Sequence, residues 1–225
     1  MSTKTTFWIK TGAAALVLAI ACALGWWAYQ GKQKRVLQED VLALVQNSTA
    51  RLREAISLMP AGAEARAKLE AGFAAVKGSV EKLQASNVSL NPPLVYAADA
   101  YITDVQALLR RQLAMVAGRE AVRADIDAIN EHLRAAGKRS QEWFRQALPL
   151  RQRLDKSFFD YRLAAGGLDK SLRSLANSRK DLEAQVPAEL LVGQKELFAA
   201  RNKLLELTTQ FEQQVEAAKR LPVGK

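Results

Sequence analysis

The chain has 225 residues, 49% of them hydrophobic, and a formal net charge of +10. A single cysteine excludes a disulfide-braced domain, and the abundance of Ala, Leu, Lys, Arg, Glu and Gln favours long helices over sheets. The basic residues are spread along the chain and accompany no nucleic-acid-binding motif. They therefore indicate a solvated surface, and nucleic acid is not an expected partner.

The first predicted element is a membrane anchor. Residues 11–29 contain no charged side chain and, as a helix, span about 28 Å, close to the hydrocarbon thickness of a bilayer. Aromatic and basic side chains, which favour the membrane interface, flank this segment. They are Trp8 and Lys10 on one side and Trp26, Trp27, Tyr29, Lys32, Lys34 and Arg35 on the other. We predict a polar N-tail (1–10), a single-pass anchor (11–29) and a water-facing domain (30–225).

Two forms of processing compete with an uncleaved anchor. Residues 21–23 have the small-x-small form of a signal-peptidase site, and residues 19–22 resemble a lipoprotein box ending at Cys22. Either cut would leave Trp26 and Trp27 near a new N-terminus without an obvious role, so we predict that the anchor is retained. The short N-tail favours a cytoplasmic N-terminus, with the domain in the periplasm of a bacterial inner membrane.

Five helices are predicted, and breaks at proline and glycine separate them. The first continues from the anchor to residue 59, and the others span about 64–86, 91–137, 140–185 and 187–221. Apolar residues recur at spacings of three and four in each, as in coiled coils, and no segment alternates with period two. In the fourth helix the stripe comprises Leu154, Phe158, Tyr161, Leu168, Leu172, Leu175 and Leu182. We predict an all-α, antiparallel bundle.

Helix length predicts a tip that projects from this bundle. Short connections make neighbouring helices antiparallel, and the third helix, at about 44 residues, is about 66 Å long. The first, second and fifth helices are too short to accompany it over its full length. We therefore expect a two-helix tip at about residues 122–150, formed by the third and fourth helices.

The predicted tip carries the candidate partner-binding residues. These are Arg134, Lys138, Arg139, Trp143 and Phe144. Trp and Arg are the residue types most enriched in binding hot spots, which favours a protein-interaction surface here. The alternative is that Trp143 and Phe144 pack on Leu133 and Ile129 and only close the hairpin.

No catalytic, cofactor or metal site is predicted. His132 is the only histidine and has no cysteine or carboxylate at metal-ligand spacing on its helix face. Arg119, Arg179 and Arg201 interrupt apolar stripes, and we expect each to turn to solvent, although buried arginines could instead bind an anionic ligand. Asp125 and Asp127 are two residues apart and point in different directions on a helix.

The sequence therefore predicts a non-catalytic, membrane-anchored scaffold or adaptor that holds a protein-interaction surface about 60–70 Å from the bilayer. The expected partners are the membrane and either another protein or a second copy, bound through helical faces. In outline the plan is similar to the extracytoplasmic sensor domains of bacterial chemoreceptors and kinases, although no residue motif is shared. The alternative function is a sensor-like bundle that binds a small anionic ligand.

Overall fold

Five α-helices form the protein in a computed structural model, which describes the backbone of residues 3–135 and 141–220 and the side chains of 25–134 and 141–220. The helices are α1 (Thr3–Ser57), α2 (Arg66–Gln84), α3 (Pro92–Ala135), α4 (Gln141–Glu183) and α5 (Gln194–Lys219). Three single 3-10 turns, Ala63–Ala65, Val88–Leu90 and Ala188–Leu190, precede α2, α3 and α5. No strand occurs in the described ranges, and the predicted all-α fold is confirmed.

The first helix extends below the rest of the bundle. Leu37 is its first fully buried residue among those whose side chains are described, and from there to Met59 it packs into the core. No helix of the described residues is apolar enough over sufficient length to cross a membrane. The predicted anchor (11–29) falls mainly on residues 1–24, whose side chains lie outside the description, as do those of Trp8 and Lys10. The anchor is therefore unsupported by the structure and stays a prediction.

The third helix is at the centre of the packing and contacts all four other helices. It runs antiparallel to α4, with Asp104 opposite Ser174 near one end, Gly118 opposite Tyr161 in the middle, and Asp125 opposite Arg153 farther along. A Cβ at Gly118 would lie 3.1 Å from the Tyr161 Cα, so glycine permits the close approach of the two helices. All seven residues of the predicted α4 stripe are buried.

The fifth helix begins seven residues later than predicted, at Gln194 instead of Pro187. The intervening segment is held in the bundle by its carbonyl groups: the Leu191 oxygen accepts a hydrogen bond from Arg53 at 3.0 Å, and the Val192 oxygen accepts one from Arg179 at 2.6 Å. Leu191 and Val192 are fully buried. After the 3-10 turn Ala188–Leu190 the backbone is extended at Leu191 and Gly193, and side chains instead of helical N–H groups bind the two carbonyls.

The prediction that three arginines turn to solvent is wrong for Arg179, whose side chain is only 12% exposed. Its guanidinium also pairs with Glu183 at 2.9 Å. Arg119 is half-buried and donates to the Pro60 carbonyl at 3.2 Å, and its burial, with Arg123 nearby, lowers its pKa. Arg201 binds Asp169 across the α4–α5 contact at 2.6 Å. All three therefore join separate parts of the bundle.

Different helices end at different heights along α3 and α4. The turn after α1 meets α3 at Arg119, and the last residue of α5, Lys219, meets α4 at Asp155, with its Nζ 2.8 Å from the carboxylate. Past these levels α3 and α4 continue as a pair, joined by Asp125 with Arg153 and by His132 with Trp143. The predicted tip likewise consists of α3 and α4 alone beyond the ends of the other helices. Its turn, residues 136–140 with Lys138 and Arg139, lies outside the described residues.

Candidate functional site

At the tip, Trp143 packs inside the helical hairpin. Its side chain is 7% exposed, and its ring stacks on His132 with the ring centroids 4.9 Å apart. The indole Nε1 donates to the His132 carbonyl at 3.4 Å, and His132 Nε2 lies 3.1 Å from the Trp143 carbonyl oxygen. The burial of Trp143 agrees with the packing alternative, although the ring contacts shown are with His132 and Phe144 and not with the predicted Leu133 and Ile129. The role of the predicted site in partner binding stays a prediction.

Phe144 differs from Trp143, since it is half exposed and belongs to a longer apolar surface on α4 and α5 that we call the outer face. Six large side chains, 47–66% exposed, make up the outer face. They are Phe144, Leu148, Phe159 and Leu163 on α4, and Phe198 and Leu205 on α5. The α4 members are separated by four and eleven residues and the α5 members by seven, spacings that return to nearly the same side of a helix.

Ion pairs between α4 and α5 bring the two halves of the outer face together. Arg201 with Asp169 and Arg162 with Glu212, the latter at 3.4 Å, join the helices along the same side. The core residues lie on one side of this line of contacts, and the outer face lies on the other. Phe159, Leu163, Phe198 and Leu205 therefore border one shallow groove along the α4–α5 contact, whereas Phe144 and Leu148 lie on α4 beyond the end of α5.

A glycine interrupts the apolar residues of α4 near the middle of the outer face. Gly166 lies three residues after Leu163, and a Cβ placed on it would have no neighbour within 4 Å. Glycine inside a helix costs about 1 kcal/mol relative to alanine, and no close contact with another described residue explains it here. The open space allows another backbone to approach the outer face closely.

Charged clusters lie beside the outer face at two levels of the α4–α5 contact. At the end nearer the base of the bundle, Asp169 binds both Arg173 and Arg201, and Lys170 lies beside them. Burial opposes ionisation of Asp169, but the two guanidinium groups outweigh it and lower the pKa of the carboxyl. At the tip-proximal end, the Lys219 ammonium lies between Asp155 and Glu216, at 2.8 and 3.4 Å, and hydrogen bonding to Asp155 raises its pKa.

At the base of the bundle, α1 exposes the aromatic residues predicted to meet a membrane. Trp26, Trp27 and Tyr29 are 65%, 77% and 54% exposed, and none is covered by another helix. Lys32, Lys34 and Arg35 are also exposed and follow within two turns. Trp27 and the three basic residues line a half-open cavity of about 750 Å³, with Asn87, Ser89 and Leu90 on its other side.

The interior offers little room for a ligand beside the half-buried Arg119. The cavity there has a volume of about 40 Å³ and is lined by apolar residues with Tyr161 and three glutamine or arginine side chains. That volume suits about one water molecule. In the described ranges, no three side chains among His, Cys, Asp and Glu come together as metal ligands.

The sequence analysis named only Phe144 among the six outer-face residues, because it assigned one apolar stripe, the buried one, to each helix. Both α4 and α5 carry a second series of apolar residues on the opposite side. A helix that buries only one face does not need this second series. The sequence matches no family model, and no curated protein or solved structure shows significant similarity to it.

Proposed function

We propose that this protein is a non-catalytic scaffold, anchored in a membrane by its N-terminal helix, that binds an amphipathic helix of a partner protein along the outer face. The observation that carries the proposal is the exposure of six large apolar side chains on one side of α4 and α5. Large apolar side chains that recur on the exposed side of two neighbouring helices mark a candidate interaction site. Three of the six are phenylalanine, one of the aromatic residue types enriched in protein interfaces.

The form of the outer face favours a helix as its occupant. Its groove follows two antiparallel helices, and the apolar residues recur with helical spacing, so a third helix can insert its own apolar stripe between them. Gly166 supplies the open space for a close backbone approach. Such a helix would carry acidic residues near Lys170 and Arg173, and basic residues near Asp155 and Glu216.

The basic residues beside the outer face favour a different protein over a second copy. Two copies anchored side by side in one membrane would place equal heights together, so Lys170 and Arg173 of one copy would face the same residues of the other. Like charges directly opposite one another are destabilising. A partner helix with acidic residues at this level avoids this conflict.

The proposed anchor is supported by the exposed aromatic and basic residues where α1 leaves the bundle. Water-exposed Trp26, Trp27 and Tyr29 on an uncovered helix suit the interface of a bilayer. The domain then extends from the membrane, with the α3–α4 tip farthest from it. As the sequence indicates, we propose a single-pass protein of a bacterial inner membrane with its bundle in the periplasm.

Site-specific photo-crosslinking in intact cells tests the proposal. A photoreactive amino acid replaces Leu163 in one full-length variant and Tyr96 in the control, because Tyr96 is equally exposed but lies on α3. We expect Leu163 to crosslink to one helical segment of another protein, identified by mass spectrometry, and Tyr96 to give no such product. Adding Phe159→Ser and Phe198→Ser should abolish that crosslink while circular dichroism shows unchanged helix content.

Three outcomes would overturn the proposed function. A crosslink from Leu163 only to a second copy of the chain would make the outer face a self-association surface. A crosslink only to lipid, or none at all, would remove the partner. Recovery of the full-length chain in the soluble fraction after cell lysis would contradict the membrane anchor, and partner binding would then be judged from the crosslink alone.

A further inference from the structure

The cavity at the base of the bundle contains cationic and amide groups and no carboxylate. It lies between the lower part of α1 and the turn that precedes α3, and its volume is about 750 Å³. The chemically relevant lining residues are Lys32, Lys34, Arg35, Gln30, Asn87 and Ser89. None of the three basic side chains forms an ion pair with another described residue, so their charges are available to an anion.

The polar turn on the other side of the cavity is held in place by its own hydrogen bonds. The Asn87 side-chain oxygen accepts from the Ser89 backbone N–H at 3.2 Å and from the Ser89 hydroxyl at 2.7 Å. The oxygen is thereby occupied, which leaves the amide NH2 group of Asn87 to donate to a ligand. A fixed donor opposite flexible cations suits the recognition of phosphate oxygens.

The height of the cavity relative to the aromatic residues indicates where its anion would come from. Lys32 follows Trp27 by five residues, or about 8 Å along a helix. Tryptophan prefers the boundary between acyl chains and head groups, so basic side chains at this distance lie at the depth of the phosphates or just above them. Trp27 itself lines the cavity beside Lys32 and Lys34.

We propose that this cavity binds the phosphodiester of an anionic phospholipid head group, such as that of phosphatidylglycerol. The inference rests on the membrane anchoring in the proposed function but not on the partner helix. Lys32, Lys34 and Arg35 neutralise the phosphate, Asn87 donates a hydrogen bond to it, and the exposed rings of Trp26 and Trp27 contact the acyl chains below. A bound head group fixes α1 to the turn at the base of the bundle.

Native mass spectrometry of the full-length chain, released from nanodiscs, tests the site. The nanodiscs contain phosphatidylcholine alone or with phosphatidylglycerol. The basal variant is Lys32→Gln, Lys34→Gln and Arg35→Gln. The control, Lys68→Gln, Arg110→Gln and Lys156→Gln, loses the same charge at exposed sites elsewhere. We expect wild type and control to retain one phosphatidylglycerol, and the basal variant to bind it on the order of a hundredfold more weakly.

A further arm adds inorganic phosphate to the released protein. Retention of the lipid supports a head-group site, whereas displacement of the lipid by phosphate at similar concentration would overturn it in favour of a soluble phosphate ligand. Equal lipid retention by the basal variant and the control would also overturn the site. If all variants enter the nanodiscs and none retains phosphatidylglycerol, the head-group site fails and the anchor stands. If wild type does not enter, the anchor itself fails.

Discussion

The α1–α2 pair and the α4–α5 pair, which both pack against α3, differ in how many large apolar side chains they expose. Between Leu37 and Gln84, a stretch described throughout, no large hydrophobic side chain is exposed. The α4–α5 pair buries an equally continuous stripe and also exposes the six residues of the outer face. The first pair therefore has the apolar content that its own packing requires, while the second has more. That excess, and not burial as such, identifies where another molecule is expected to bind.

The sharpest test of this difference compares two leucines of α4. Leu168 is fully buried and Leu163 is 65% exposed on the outer face. We expect Leu168→Ala to lower the free energy of unfolding by about 2–5 kcal/mol, because it leaves a cavity in the core. Leu163→Ala should change it by less than about 0.5 kcal/mol. Urea denaturation of each variant measures both values, and equal losses would show that Leu163 belongs to the core.

Glycine substitutions compare the close contact between α3 and α4 with an open position on α2. At Gly118, a new Cβ meets the Tyr161 backbone at 3.1 Å, so Gly118→Ala should destabilise the protein by about 1–3 kcal/mol. Gly78 on α2 has no neighbour within 4 Å of such a Cβ. Gly78→Ala should therefore stabilise by up to about 1 kcal/mol, through helix propensity. Thermal denaturation gives the sign of each change; a stabilised Gly118→Ala variant would contradict the tight contact.

A smaller effect is expected at the tip, where only α3 and α4 are in contact. Trp143→Ala removes the stacking on His132 and the hydrogen bond from the indole Nε1 to the His132 carbonyl, but keeps the backbone carbonyl that His132 Nε2 contacts. Because no third helix of the described residues covers this level, amide exchange should accelerate mainly within residues 126–134 and 141–152. Exchange around Leu109 and Leu172 should change little. Uniform acceleration throughout α3 would show that the tip and the bundle unfold as one unit.

The smallest expected effect is the pH dependence of the ion pairs beside the outer face. The pKa of Asp169 is lowered in the folded state, so the stabilisation it provides is complete above the unfolded pKa of about 4 and is lost as pH falls towards the folded value. Asp169→Asn should lower the melting temperature at pH 6 and flatten its decline between about pH 5 and pH 2. A parallel decline in both proteins would exclude this carboxylate as the source.

Periodicity alone predicted the helices and most of their buried stripes, because burial on one side of a helix leaves a mark every three or four residues. It could not predict the start of α5. Pro187 looks like a helix start, but only a single 3-10 turn follows it, and the next two carbonyls are bound by Arg53, 138 residues away, and by Arg179 of the preceding helix. The same contacts explain why Arg179 is buried: its partner is a backbone carbonyl, which no side-chain pattern records.

The outer face could not be predicted from one apolar stripe per helix, for a different physical reason. Phe198 and Leu205 each follow directly after a buried leucine of the core stripe, Leu197 and Leu204, and single exposed apolar residues are common on protein surfaces. Their meaning comes from the neighbouring helix, since the α4–α5 ion pairs place them beside the exposed residues of α4. The cavity at the base could not be predicted for the same reason, because two of its lining residues, Asn87 and Ser89, lie more than fifty residues from Lys32 in sequence.

One continuous helix, α1, joins the N-terminal segment to the bundle from Thr3 to Ser57 without a break. If residues 11–29 lie in a bilayer, the helical bundle and its anchor tilt together as one rigid body, because α1 has no break between them. A change of about 20° in anchor tilt would then move the far end of a rod about 66 Å long by about 20 Å. Membrane thickness or lateral tension would thus be converted into a displacement of the distal hairpin.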